Sequence, residues 1–171
     1  MHAELLVLRF IHIISGIMWV GSGIFVAFFL IPALAANRQL MPQVMEGLQR
    51  RRVFIIIPTA GLLAILSGTW LLWIDSAGFS DSYMQTGVGR TFSLGGTAAI
   101  IALLIQVFVS RPAGQKLGVI ATQLAASPAA NERERLNAEA DRLRRRSAMG
   151  TLGAVIFGLL AASAMAVARY S

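Results

Sequence analysis

Four long apolar runs, separated by polar connections, dominate the pattern of hydrophobic and polar positions along the chain. They cover residues 5–31, 53–74, 88–109 and 148–167. A bilayer core of about 30 Å needs roughly 20 helical residues, so each run is long enough to cross it. The runs are continuous rather than alternating, which favours helices over strands. The pattern therefore predicts an all-α integral membrane protein, a four-helix bundle in a single domain over residues 1–171.

The first run differs from a signal peptide. Its apolar stretch is longer than a typical signal core, and residues 1–8 carry Glu4 but no lysine or arginine. We therefore expect this run to remain in the protein as a membrane helix.

Charge in the connections predicts the orientation. The connections after the first and third runs carry twelve of the 15 lysine and arginine residues, whereas the second holds Asp75 and Asp81 with Arg90 at its far edge. Because short basic connections stay in the cytoplasm, both termini should be periplasmic. The location predicted for such a protein is the bacterial inner membrane.

The third connection, residues 112–147, predicts helices of its own on the cytoplasmic side. Arg111–Pro112 should end the third membrane helix, because the residue before proline avoids the α-helical region. Ser127–Pro128 should interrupt the chain again, and residues 129–146 then predict a charged helix that runs into the fourth run. Between the two prolines, a short amphipathic helix is indicated by Leu117, Ile120 and Leu124.

The amino-acid composition further limits the classes of protein and of binding site that the chain can form. The chain is 56% hydrophobic and 13% charged, which is typical of membrane proteins. Its net charge of +7 does not indicate nucleic-acid binding, because membrane topology already accounts for basic residues that flank apolar runs. Cysteine is absent, which excludes disulfides and thiolate metal sites.

Small residues at helical spacing predict close helix packing. Inside lipid, interfaces depend on small side chains that let backbones approach. The second run shows this with Ala60, Ala64 and Gly68, and the third with Gly95 and Ala99. The fourth run carries a small-residue stripe that would face either the bundle interior or another subunit, formed by Gly150, Ala154, Gly158, Ala162 and Ala166.

His12 is the only histidine in the four runs, and an ionisable side chain at membrane depth is a candidate functional residue. Gly16 or Ser15, then Trp19 and Gly23, share its helix face. A single axial histidine beside a glycine that admits a flat ring is typical of b-type haem. The sequence identifies no second ligand: His2 is terminal, Met165 matches only in depth, and five-coordinate haem would need none. The alternative, which the pattern favours, is a polar packing contact to a serine, carbonyl or water.

A copper site is a weaker interpretation of the same region. Histidine and methionine are both copper ligands. However, Met18, Met84 and Met165 show no clustered spacing, and methionine commonly fills gaps between packed side chains.

The first run also resembles a known family. His12 followed by Trp19-Val20-Gly21, with the run ending in Ile31-Pro32-Ala33-Leu34, is similar to the bacterial four-helix membrane proteins grouped with the copper-resistance protein D membrane domain. The haem-binding protoporphyrinogen oxidases of the HemJ type belong to the same broad set. The resemblance implies that His12 is a haem ligand. Those oxidases also use a lysine on a later helix, whereas the sole lysine here, Lys116, lies outside the four runs.

Function is then predicted from what the runs contain. General acid or base catalysis needs a partner within hydrogen-bond reach of the histidine, and no aspartate or glutamate lies inside a run. We expect a non-catalytic accessory subunit that packs against a larger respiratory or photosynthetic electron-transfer complex, with lipids and membrane subunits as partners. The alternative is a b-type haem protein that uses His12. A small transporter would need a polar path, to which Gln106 is the main contributor.

Overall fold

The computed structural model of the protein describes residues 2–126 and 129–171. All regular structure in those residues is helical. Four long helices form the body of the molecule, and each is long and apolar enough to cross a membrane. The predicted all-α class with four apolar helices is therefore confirmed. The long helices are Ala3–Ala36, Val53–Asp75, Gly87–Ala125 and Ala130–Tyr170.

The first long helix contains a wide turn just before a proline. It consists of α1 (His2–Phe25), a π-helical turn at Val26–Leu30, and α2 (Ile31–Ala36). Proline has no N–H, and in a regular α-helix its ring clashes with the carbonyl four residues back. In the π-turn the backbone bonds to the fifth residue back, as Ile31 N–H does to the Val26 carbonyl. The helix thus continues past Pro32.

The third long helix repeats this arrangement. It consists of α6 (Gly87–Ile105), a second π-turn at Gln106–Ser110, and α7 (Arg111–Ala125). The Arg111 N–H bonds to the Gln106 carbonyl five residues back, and Pro112 follows at once. The prediction that Arg111–Pro112 ends the third helix is therefore wrong, because the wide turn removes the conflict that a proline creates in an α-helix.

The other helices connect and complete the bundle. After a 3₁₀ turn at Arg38–Leu40, the amphipathic α3 (Met41–Arg50) leads into the second long helix, α4 (Val53–Asp75). Pro58 lies inside α4. The short α5 (Asp81–Met84) precedes α6. The fourth long helix is α8 (Ala130–Val167), followed by a 3₁₀ turn at Ala168–Tyr170.

α7 and the first half of α8 form a helical hairpin. α8 has 38 residues and continues without a break from the charged segment into the fourth apolar run, in agreement with the sequence. The interruption predicted at Ser127–Pro128 lies outside the described residues. A separate apolar cluster holds the hairpin together, formed by buried Ile120, Leu136 and Ala140 with half-buried Leu117, Leu124 and Leu143.

The bundle core lies where the first, second and third long helices meet. Trp19, Ala60 and Ala102 are its buried members. Two of the three are alanines, so backbones approach closely around one large ring, as expected for helices packed in lipid. The half-buried side chains around this core are Val20, Ile57, Ile65, Ala99, Leu103 and Phe157.

Candidate functional site at the polar face of the first helix

The face predicted on the first helix points into the bundle. Ser15 and Trp19 are buried, and His12 and Gly16 are half-buried. The opposite side of α1 is exposed, and it carries Ile13, Ile14 and Ile17. His12 and Trp19 are two turns apart, so both side chains project from α1 toward the same neighbouring helices.

Two glycines of α4 make room for these two side chains. A Cβ built at Gly68 would lie 2.6 Å from His12 Cε1, and one at Gly61 would lie 2.7 Å from Trp19 Cε2. Both distances are far below a normal carbon contact of about 3.5–4.0 Å. The two glycines are seven residues apart, as are His12 and Trp19. Because α1 and α4 are antiparallel, the later glycine, Gly68, faces the earlier ring, His12. Each ring therefore fills a notch that only glycine leaves open.

The hydrogen bond of His12 identifies which tautomer its neutral ring adopts. His12 Nδ1 lies 2.8 Å from the backbone carbonyl oxygen of Ala64. Since a carbonyl only accepts, Nδ1 carries the hydrogen and donates it. The Ser67 hydroxyl lies 3.5 Å from the same nitrogen and donates to the Leu63 carbonyl at 2.6 Å. In the neutral ring, Nε2 then carries the free lone pair.

Trp19 links the first and third long helices through a polar contact. Its Nε1–H donates to the side-chain oxygen of Gln106 at 2.7 Å. Gln106 is the first residue of the second π-turn. Sequence reasoning did not pair these residues, which are separated by 87 positions. The available signal was an amide inside an apolar run, which needs a hydrogen-bond partner at membrane depth.

The small-residue stripe of α8 turns from the interior to the surface. Gly150 lies against Ser110, and Gly158 lies against Val20. Four residues advance an α-helix by about 400°, so a four-residue repeat rotates by about 40° at each step. Along the stripe the residues therefore change from buried or half-buried to exposed, in the order Gly150, Ala154, Gly158, Ala162 and Ala166.

The outer surface carries a shallow groove between the third and fourth long helices. Its volume is about 370 Å³ and its lining is mainly apolar. Ala98 and Ala164 contribute small side chains on its two sides. The remaining lining residues are Leu94, Thr97, Ile101, Phe157 and Leu160.

Of the residues predicted to hold haem, Trp19 is packed against Gly61, whereas His12 offers a ring nitrogen and Gly16 lies beside open space. His12 Nε2 makes no hydrogen bond among the described residues, and a Cβ at Gly16 would meet nothing within 4 Å. Met165 is directed at the third helix, where its Cε lies 3.4 Å from a Cβ built at Gly95. The described residues contain no group of three or more His, Cys, Asp or Glu side chains placed to hold a metal ion.

The α4–α6 connection, outside the apolar helices, is tightly ordered by side-chain contacts. The Ser76 hydroxyl is buried and accepts from Phe79 N–H at 2.7 Å. Phe79 in turn meets the Trp73 ring edge-on, with centroids 5.1 Å apart. Nearby, burial raises the pKa of Tyr83 above its ordinary value, and the negative charge of Asp75 raises it further.

The four long apolar helices are those of a multi-pass membrane protein. No family model, no curated protein and no solved structure matches the chain.

Proposed function

We propose that this protein is an accessory subunit of a larger membrane complex of the electron-transfer class, located in the bacterial inner membrane. Both ends of the described chain would be periplasmic, since the connections after the first and third long helices carry most of the basic residues. The electron-transfer class rests on the resemblance of the first run to haem-associated membrane proteins.

The outer groove is the observation that carries this proposal. Its α6 residues are spaced three, four and seven positions apart, which is the side of a helix that contacts one neighbour. Ala98, Thr97 and Ala164 keep the groove open, and small side chains are what lets a further helix approach closely in lipid. The exposed Ala162 and Ala166 lie on the other side of α8, because two residues turn an α-helix by about 200°, so they form a surface separate from the groove.

The polar residues of the interior serve packing in this proposal. The Trp19 bond to Gln106 joins the first and third long helices, and the His12 bond to the Ala64 carbonyl joins the first and second. Interhelical hydrogen bonds of this kind contribute about 0.6 kcal/mol on average in a membrane. They support a rigid bundle that presents a fixed outer surface to a partner.

Two matched threonine substitutions test the groove. Thr97 lies in the groove and Thr69 lies on the exposed side of α4. With tagged protein purified from native membranes in mild detergent, we expect co-purifying membrane subunits in the wild type and in Thr69→Leu, and at least a tenfold loss in Thr97→Leu. Equal co-purification in both variants, or a stable isolated monomer from native membranes, would refute the proposal.

A b-type haem protein is the second candidate, and the tautomer of His12 favours it. Metal-bound histidines commonly donate their other ring N–H to a carbonyl, as Nδ1 does to Ala64. His12 would hold the iron through Nε2, and haem would supply one-electron redox chemistry. An absorption spectrum of the purified protein decides this case. A Soret band that His12→Ala abolishes supports it, whereas no band, or one unchanged in the variant, contradicts it.

A further inference from the structure

The exposed arginines are concentrated at the level where the hairpin joins the bundle. Gly150 of α8 lies against Ser110 of the third helix, with a Cβ position 2.7 Å from Ser110 Oγ. Arg111 follows Ser110 directly, and Arg146 lies one turn before Gly150, about 6 Å along the axis. The two arginines therefore lie at nearly the same height on neighbouring helices.

Two more arginines, Arg51 and Arg52, lie at this height in the turn just before the second long helix. The first long helix contacts α4 at Gly61 and α8 at Val155. Counting along the helices from these contacts, at about 1.5 Å per residue, places Arg52 at the level of Gly150. We define the arginine belt as Arg51, Arg52, Arg111, Arg145 and Arg146, all of which are exposed.

The belt is not neutralised by acidic side chains. None of its five arginines forms an ion pair within residues 2–126 and 129–171. The sequence has no aspartate or glutamate between Asp81 and Glu132, and none after Asp141. By contrast, residues 129–143 of the hairpin contain four acids and three arginines. The positive excess thus lies at the base of the hairpin and not at its far end.

Exposed apolar side chains lie next to two of the belt arginines, toward the apolar part of each helix. On the third helix, Phe108 and Leu104 precede Arg111 by three and seven residues, and they are 66% and 49% exposed. On α8, Met149 and Leu152 follow Arg145 by four and seven residues, and they are 74% and 44% exposed. On α8, which is an uninterrupted α-helix, these spacings place Arg145, Met149 and Leu152 in a column along one side, the α8 column. On the third helix the π-turn at Gln106–Ser110 changes the angular phase before Arg111, so Leu104 and Phe108 are near Arg111 in height but not on the same side of the helix.

We infer that the arginine belt binds anionic phospholipids, with the phosphate at a guanidinium and, at the α8 column, the acyl chains along Met149 and Leu152. Guanidinium groups bind phosphate through paired, charge-assisted hydrogen bonds. An acidic soluble protein fits the charge pattern less well, because the far end of the hairpin that it would also contact is nearly neutral. Free phosphate has no acyl chains, so it would not use the apolar side chains of the α8 column. The site is independent of the accessory role proposed above.

Native mass spectrometry of the full chain in detergent tests this site. The probes are dioleoylphosphatidylglycerol and dioleoylphosphatidylcholine at equal concentration. Each arginine near a membrane surface strengthens anionic-lipid binding about fivefold. The triple variant Arg111→Gln, Arg145→Gln, Arg146→Gln should therefore lower the preference for phosphatidylglycerol at least tenfold.

A charge-matched control separates this site from diffuse attraction. The triple variant Arg133→Gln, Arg135→Gln, Arg142→Gln removes the same charge from the far part of the hairpin and should change the preference less than twofold. Equal loss in both triple variants would overturn the inference, as would no loss in either. If the belt triple variant does not fold, Arg145→Gln alone should still show a severalfold loss, and an unchanged preference would again contradict the site.

Two further probes distinguish the ligand sources. Dihexanoylphosphatidylglycerol has the same headgroup with short chains and should bind more weakly than the dioleoyl lipid. An excess of inorganic phosphate should leave the bound dioleoyl lipid in place. Displacement by phosphate, or binding of polyglutamate without any preference for phosphatidylglycerol, would assign the belt to a free anion or an acidic protein instead.

Discussion

Gly61→Ala tests whether the Trp19 notch determines the stability of the bundle. The new Cβ would lie 2.7 Å from Trp19 Cε2, about 0.8 Å closer than the shortest favourable carbon contact. Trp19 cannot move freely, because it is 7% exposed and its N–H is bonded to Gln106 at 2.7 Å. Overpacking of this kind costs about 1–3 kcal/mol. Alanine regains about 1 kcal/mol of helix propensity over glycine. We expect a net loss of up to about 2 kcal/mol, and a stability about 1–3 kcal/mol below that of a glycine-to-alanine change without the clash.

Equilibrium unfolding in mixed micelles, followed by helical circular dichroism, measures this loss. Gly21→Ala is the matched control, because a Cβ at Gly21 meets nothing within 4 Å. The control should be neutral or slightly more stable. In a Trp19→Leu background the cost of Gly61→Ala should fall toward that of the control, since the two sites are then uncoupled. A Gly61→Ala variant as stable as Gly21→Ala, or a cost unchanged by Trp19→Leu, would refute the reasoning.

Three other predictions follow from the polar contacts. A double-mutant cycle between Trp19→Phe and Gln106→Leu should give a coupling of about 0.6–1.7 kcal/mol in the same unfolding assay, and zero coupling would contradict the bond. Nitrogen NMR of the neutral His12 ring should show the hydrogen on Nδ1 and none on Nε2, because the Ala64 carbonyl only accepts; the opposite tautomer would exclude this geometry. Since burial raises the pKa of Tyr83, the folded state keeps a proton that the unfolded state loses above about pH 10. Stability should therefore fall above that pH less steeply in Tyr83→Phe, and an unchanged slope would argue against the shift.

The elements that could be predicted from the sequence are those that follow from apolar length and periodicity. Residues 53–74 predict a helix that the structure places at Val53–Asp75. The face with His12 and Trp19 follows from the 3.6-residue repeat alone. The break at Pro112 was predicted wrongly because the proline rule assumes α-helical hydrogen bonds, and a π-turn has no clear sequence signal.

Only the side chains that the first helix contributes to the candidate site could be predicted, because their hydrogen-bond partners come from other helices. His12 and Trp19 could be selected as polar groups at membrane depth. Their partners, the Ala64 carbonyl and Gln106, depend on how α1 meets the second and third long helices. A backbone carbonyl has no sequence signal at all. The role of Gly61 was likewise hidden, because a glycine notch is recognisable only once the ring that fills it is known.

The second π-turn also fixes the direction in which the hairpin faces. A π-turn holds one residue more than an α-helical turn, so every side chain after Ser110 is set back by about 100° relative to an uninterrupted helix. This offset brings Ile120 onto α8 beside Leu136. The direction in which α7 faces is thus decided inside the apolar part of the third helix. A single inserted residue there sets which flank of the hairpin is free for other molecules.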